Sequence, residues 1–249
     1  MDQNFRFKNK VVIVTGAGSG IGLATAKRIG HEGGKIVLAD LDSDKLATAE
    51  KEVLAAGAEA VWGSHCDVSN PDHVSATVAG ALKNFSRLDI IVNNAGLMVF
   101  KPLVEHTQED WMKVLSVDLL GAFFFTQQAF LHMNDGGAIV NVSSVHAVET
   151  TPLVSSYAAA KAAVLSLTRS AAIEGKPKGI RVNAILPGAI NTPMLWDNPN
   201  IKAGLEVISK TDVGSPEEIA AAIAYLASDD ANFIQGASLR IDGGRLAQL

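Results

Sequence analysis

Tyr157 and Lys161 stand four residues apart in a stretch with helical character, so their side chains fall on one face. A phenol with a pKa of about 10 is a poor acid or base at neutral pH. An ammonium beside it stabilises the phenolate and brings the pair into range for moving a proton to or from a hydroxyl. Ser144 lies 13 residues before Tyr157, at the end of a strand-like run, where its hydroxyl can hold a substrate oxygen against the phenol. Tyr-x-x-x-Lys alone is common and usually decorates a surface, so the pair gains meaning only with Ser144 and a nucleotide-type turn.

That turn runs Thr15-Gly16-Ala17-Gly18-Ser19-Gly20-Ile21-Gly22, after a strand-like run and into a helix. Glycines let the chain turn sharply and bring its amides to a pyrophosphate at the positive helix end. Leu23 and Ala24 follow where a P-loop would carry Lys and Ser/Thr, which disfavours an NTPase. Asp40, followed by Leu41, ends the second strand-like run 18 residues after Gly22. A carboxylate there accepts hydrogen bonds from both adenosine ribose hydroxyls and repels a 2′-phosphate. Asp42 adds to the repulsion and no Arg or Lys occupies positions 39 to 44, so NAD is favoured over NADP.

The elements that must position these groups alternate from end to end. Strand-like runs are Lys10–Thr15, Lys35–Asp40, Ala60–His65, Leu88–Asn93, Ala138–Ser143, Ile180–Leu186 and Ala237–Ile241. Their near-continuous apolar character is that of strands covered on both faces. Helices are predicted over Gly20–Glu32, Ser43–Ala56 with a serine cap, Asn70–Phe85 with Asn70 as cap, Thr107–Met133 as one long stretch, Pro152–Gly175 and Ser215–Ser228. Strand–helix–strand alternation implies an α/β fold with a doubly wound parallel sheet of seven strands and helices on both faces. Gly188–Gly214, rich in Asn, Pro and Gly, has weak periodicity and reads as a substrate lid.

The 249 residues, 48% hydrophobic and 19% charged, suit one globular domain spanning 1–249. A net charge of −5 and the absence of any basic stripe speak against nucleic acid and anionic membranes as partners. No apolar run reaches the roughly 18 residues of a membrane span. A single cysteine, Cys66, and a polar start with no signal-peptide pattern point to a cytoplasmic setting. The six histidines, at positions 31, 65, 73, 106, 132 and 146, have no metal-ligand spacing, and no metal is expected.

Taken in order, these residues resemble the classical short-chain dehydrogenase/reductases over essentially the whole length. The resemblance is carried by Thr15-Gly16-x-x-x-Gly20-Ile21-Gly22, Cys66-Asp67-Val68, Asn93-Asn94-Ala95-Gly96, Ser143-Ser144, Tyr157-x-x-x-Lys161, Pro187-Gly188 and Ile241-Asp242-Gly243-Gly244. It implies a Rossmann-type domain, Tyr157 as general acid/base, Ser144 orienting the substrate, and Lys161 binding the nicotinamide ribose and tuning Tyr157. Asp67 and Val68 are implied at adenine, Asn94, Ala95 and Gly96 beneath the adenosine ribose, and Pro187, Gly188, Ile190 and Thr192 at the nicotinamide. It also implies a homotetramer, built on the two long helices and on the C-terminal strand with Ser215–Ser228.

One position departs from the family pattern. Ser116-Val117-Asp118-Leu119 stands where an Asn-Val-Asn-Leu-like run is usual, so Asp118 replaces the asparagine of the proton relay. An ionised aspartate accepts hydrogen bonds but cannot donate. Activity is retained if the site needs the acceptor and the main-chain carbonyl, and weakened if it needs the donor.

Substrate contacts are expected from Met98, with Val99 and Phe100, from His146 two residues after Ser144, and from the lid residues Met194, Leu195 and Trp196. The reading is an NAD(H)-dependent oxidoreductase interconverting a small-molecule secondary alcohol and its ketone. A sugar or polyol dehydrogenase, a 3-oxoacyl reductase and a catalytically weak dinucleotide sensor remain open alternatives.

Overall fold

In the computed structural model, residues 5–202, 204, 208–209 and 212–247 are described. Seven strands form: β1 (Val11–Thr15), β2 (Lys35–Asp40), β3 (Ala60–His65), β4 (Ile90–Asn93), β5 (Ala138–Val142), β6 (Arg181–Pro187) and β7 (Ser238–Ile241). They make one parallel sheet in the order β3-β2-β1-β4-β5-β6-β7. The order reverses between β1 and β4, the switch point where such sheets open a crevice at their C-terminal ends.

Nine α-helices flank the sheet among the described residues: α1 (Gly20–His31), α2 (Ser43–Ala55), α3 (Pro71–Phe85), α4 (Gln108–Val114), α5 (Gly121–His132), α6 (Ser155–Gly175), α7 (Pro193–Trp196), α8 (Pro199–Lys202) and α9 (Pro216–Ala227). Alternate strand residues serve alternate faces. Val12, Val14, Ile36 and Leu38 pack with residues of α1, α2 and α9. Val11, Ile13, Val37 and Ile91 pack with residues of α3, α5 and α6. This burial on both faces explains the unbroken apolar runs.

Three helix expectations change. Asp42, not Ser43, caps α2, its carboxylate accepting the Asp44 and Lys45 N–H groups. Helix α6 begins at Ser155 rather than Pro152, because Leu153 adopts a left-handed φ of 70° that a helix cannot contain. The long stretch predicted over Thr107–Met133 is split between α4 and α5 by a widened π turn, Leu115–Leu120, with buried Asp118 inside it. A capping box closes its start, Thr107 accepting the Asp110 N–H and the Asp110 carboxylate accepting the Thr107 N–H.

By length and composition Gln108–His132 is apolar enough to cross a membrane, contrary to the reading that no such run exists. Here Phe125 and Ala129 are buried against the sheet, whereas Phe123 is 40% and Leu131 65% exposed. Its apolarity therefore serves a core face and an outer face. Within 188–214, Ile190 and Gly214 pair as a parallel bridge around α7 and α8, while 203, 205–207 and 210–211 lie outside the described residues.

Candidate active site

A cleft of about 440 Å³ lies across the C-terminal ends of β1 to β6. Its floor is the glycine turn, held by polar contacts. Thr15 Oγ1 accepts the N–H groups of Asn94 and Ala95 at 2.9 and 3.0 Å, and Asn94 Nδ2 donates to the carbonyls of Thr15 and Gly16. A Cβ at Gly22 would lie 2.2 Å from the Gly16 carbonyl oxygen, so the turn closes only over glycine.

The chain fits a dinucleotide here. Ser19, Gly20 and Ile21 line the cleft at the start of α1, and no side chain caps that helix. Asp42, Asn70, Thr107 and Ser215 cap α2, α3, α4 and α9 respectively. The first-turn amides of α1 are thus left for an anion such as a pyrophosphate. Asp40 accepts the Gly18 N–H on Oδ2 (2.8 Å) and the Asp42 N–H on Oδ1 (3.0 Å), leaving a lone pair on each oxygen for ribose hydroxyls. Lys45, just past the window read for basic residues, pairs with Asp42 at 3.2 Å. Asp67 accepts from the Ser69 N–H and hydroxyl, which fixes its carboxylate beside Val68.

At the other end β5 delivers Ser143 and Ser144. The Ser143 hydroxyl donates to the Lys161 carbonyl at 2.8 Å, which clamps α6 to the strand end. Ser144 Oγ accepts the His146 N–H at 3.1 Å, so its own hydrogen is available to an oxygen in the cleft. Tyr157 and Lys161 are both buried, with Lys161 Nζ 5.5 Å from the centre of the phenol ring. The His146 ring meets Tyr157 edge-on at 5.9 Å. Lys161 Nζ donates to the Val142 carbonyl at 3.1 Å and lies 3.1 Å from Asp118 Oδ2. Asp118 Oδ1 accepts the Leu97 N–H at 2.9 Å. Beneath them a buried polar ladder, Asn93 to Asn141 to Thr168, ties β4 and β5 to α6.

Burial pushes the Tyr157 phenol above its ordinary pKa; Lys161 and a hydrogen bond with Ser144 pull down, and Asp118 pushes up. Lys161 does lower it, as expected, but the phenol's own burial, with Asp118 adding to it, outweighs that pull. Burial works against the charge of Lys161, but Asp118 more than offsets it and holds the ammonium above the usual lysine value. Burial raises Asp118 in turn, against the pull of Lys161 and the Leu97 N–H.

Most residues singled out in the sequence line this cleft: Gly16, Ser19, Gly20, Ile21, Asp40, Leu41, Asp67, Val68, Asn94, Ala95, Gly96, Met98, Ser144, His146, Tyr157, Lys161, Pro187, Gly188, Ile190, Thr192 and Met194. Gly18 and Gly22 instead support the turn from behind, and Asp118 sits behind Lys161. Trp196 does not line the cleft: its indole N–H donates to Asn191 Oδ1 and the ring is 44% exposed. Val99 and Phe100 pack around Val114 and Val154, outside the cleft wall. Leu97, Asn198 and Arg245 line it without having been singled out. The position of Arg245 directly after Asp242-Gly243-Gly244 was the available clue, since Asp242 accepts the Gly244 and Leu246 N–H groups and fixes that turn.

A phenol, a hydroxyl and an ammonium in one buried cluster, beside a dinucleotide cradle, can transfer a proton to or from a substrate oxygen. A family model described as "Enoyl-(Acyl carrier protein) reductase" matches residues 16–245. The chain is 41% identical over 246 residues to 3beta-hydroxysteroid dehydrogenase 1 of Eggerthella lenta, covering 95% of this chain and 94% of that one. It is also 41% identical over 250 residues to cis-4-hydroxycyclohexanecarboxylate dehydrogenase of Sinomonas cyclohexanicum, covering 97% and 98%. A crystal structure of levodione reductase superposes with a TM-score of 0.91 at 37% identity, covering 98% of this chain and all of that one. Matches of this extent, spanning both the glycine turn and the Ser144–Tyr157–Lys161 cluster, establish that the chain belongs to the short-chain dehydrogenase/reductase family.

Proposed function

We propose that the protein interconverts a secondary alcohol and its ketone with NAD(H), Tyr157 serving as general acid/base. The observation that carries this reading is the meeting of Ser144, Tyr157 and Lys161 in the cleft that the glycine turn also lines. A nicotinamide held in this cleft would supply or take the hydride at the substrate carbon. In the reducing direction the carbonyl oxygen gains the Tyr157 proton while the Ser144 hydroxyl donates to the same oxygen. Oxidation runs the proton back to the tyrosinate. Lys161 has one hydrogen bond to Val142 and one ion pair with Asp118, which leaves a third N–H for a ribose hydroxyl.

Asp40 supports NAD over NADP, because its fixed carboxylate would face a 2′-phosphate. Asp40→Arg is expected to raise the NADPH/NADH ratio of kcat/KM at least about tenfold, since Arg pairs well with phosphate. An unchanged ratio in parallel assays refutes the role of Asp40.

Alicyclic secondary alcohols are the proposed substrate class. Two relatives carry names that place the hydroxyl on a ring, and Leu97, Met98, Val145, Met194 and Leu195 give the cleft an apolar wall for such a ring. Following nicotinamide absorbance with NAD⁺ and a panel of cyclic alcohols, open-chain diols, aldoses and hydroxyacyl esters tests this. Cyclic alcohols are expected to turn over fastest; turnover confined to aldoses or hydroxyacyl esters refutes the ring reading. We place the enzyme in the cytoplasm, in keeping with one free, buried cysteine. Segment 188–214 is assigned as the lid, with Thr192 packed on Gly20. A homotetramer is supported by Phe123, Leu131 and Ile173 exposed on α5 and α6, and by Tyr225 and Leu239 exposed on α9 and β7.

A further inference from the structure

Asp118 is fully buried, and its carboxylate has two partners: the Leu97 N–H on one oxygen and Lys161 Nζ on the other. Gly96 leaves the room for this pair, since a Cβ there would come within 2.9 Å of Asp118 Oδ2 and 3.1 Å of Lys161 Nζ. An asparagine would keep the Leu97 bond through its carbonyl oxygen and bring no charge. The aspartate therefore adds one thing, a negative charge opposite the ammonium that lies over the Tyr157 ring.

In so dry a site that charge is poorly screened. The groups around Tyr157 can be enumerated by element. Helix α6 contributes Lys161, the segment after β5 contributes Ser144 and His146, and the π turn contributes Asp118 behind the lysine. The segment after β4 brings Asn94, Ala95, Gly96, Leu97 and Met98, all uncharged, and the C-terminal turn brings Arg245 to the cleft wall. Asp40 and Asp67 lie past the glycine turn at the ends of β2 and β3. Of these, Lys161 is the cation in contact with the phenol ring, and it is paired.

We propose that Asp118 is a positioning residue that fixes Lys161 and cancels most of its charge, so that Tyr157 stays protonated near neutral pH and the site reduces ketones readily but oxidises alcohols fast only in alkaline medium. This rests on the role of Tyr157 proposed above. In the reducing step a hydride from the reduced nicotinamide dinucleotide forms the new C–H bond. The carbonyl π pair moves to oxygen, the Tyr157 O–H bond breaks to form the alcohol O–H, and water then returns a proton to the tyrosinate. Keeping the phenol protonated supplies this step and starves its reverse, which needs the tyrosinate.

The test is a pH titration of tyrosinate absorbance in the full chain, with Tyr157→Phe subtracted; the chain has only one other tyrosine, Tyr225. Tyr157 is expected to titrate above the ordinary phenol value, and a value below it overturns the proposal. In Asp118→Asn the titration is expected to fall by about one pH unit or more, the size of effect a neighbouring charge exerts. The rising limb of kcat/KM for alcohol oxidation is expected to move down with it. A merely structural role would lower the rate at every pH and leave the limb in place, and a smaller shift overturns the proposal. If the asparagine variant does not fold, the same titration of Asp118→Ser, which also removes the charge, decides. Absence of turnover on any alcohol counts against the proposed reaction, whereas the titration reads Asp118 without needing turnover.

Discussion

Tyr157→Phe is expected to lower turnover about a thousandfold while NADH binding stays within about twofold. Phenylalanine keeps the ring that packs against His146 and under Lys161, so the pocket retains its shape. What disappears is the proton that must reach or leave the substrate oxygen, an effect of about 10² to 10⁴ in rate for a positioned acid or base. Ser144 remains, but an aliphatic hydroxyl cannot stand in for it as an acid near neutral pH. Stopped turnover assays and a fluorescence titration of NADH on the same preparation separate the two quantities. Retention of more than about a tenth of the wild-type rate would remove Tyr157 from the chemistry.

Lys161→Met is expected to be the most damaging single change to stability. The methionine fills the space of the lysine stem, but Asp118 is left as a buried carboxylate facing an apolar group. Breaking a buried pair from one side destabilises by about 3–5 kcal/mol. The pH dependence follows from the sign of the shift. Burial already raises the Asp118 carboxyl, and losing Lys161 removes the main opposing pull, so its folded pKa sits further above the unfolded one. A raised folded value contributes stability below the unfolded pKa and loses it as pH climbs through the folded value. The variant should therefore melt closest to wild type near pH 4 and furthest from it above neutrality. Combining it with Asp118→Asn should restore most of the melting temperature at pH 8 but none of the activity. Equal losses at pH 4 and 8 would show that the carboxylate is not the cause.

The fold was legible because its strands are buried on both faces. A run such as Val11-Val12-Ile13-Val14 has one reading in an alternating chain, and all seven predicted strands form within two residues of their expected ends. The glycine turn was legible for a different reason: Gly22 tolerates no Cβ, and close approaches of that kind write themselves into the sequence. What stayed hidden depends on contacts distant in the chain. The π turn at Leu115–Leu120 holds a carboxylate that bonds Leu97 and faces Lys161, 21 residues before it and 43 after it. The direction of the Tyr157 shift depends on burial, which periodicity reports for a helix face but not for a phenolic oxygen. Trp196, three residues into a short helix, turned away from the cleft because Asn191 offered its amide oxygen. Arg245 reached the wall through a turn built on Asp242.

Asp40 has a consequence for how such a chain can change over generations. The carboxylate assigned to cofactor choice is also the acceptor for the Gly18 and Asp42 amides, so one side chain joins the first turn to the second. A single replacement that welcomes a 2′-phosphate simultaneously strands two main-chain donors. Drift toward the phosphorylated cofactor therefore has to pass through a less rigid turn, or begin with a neutral change nearby that offers those amides another oxygen. The nucleotide preference proposed for this chain is thus tied to the main-chain bonds that hold its first two turns together.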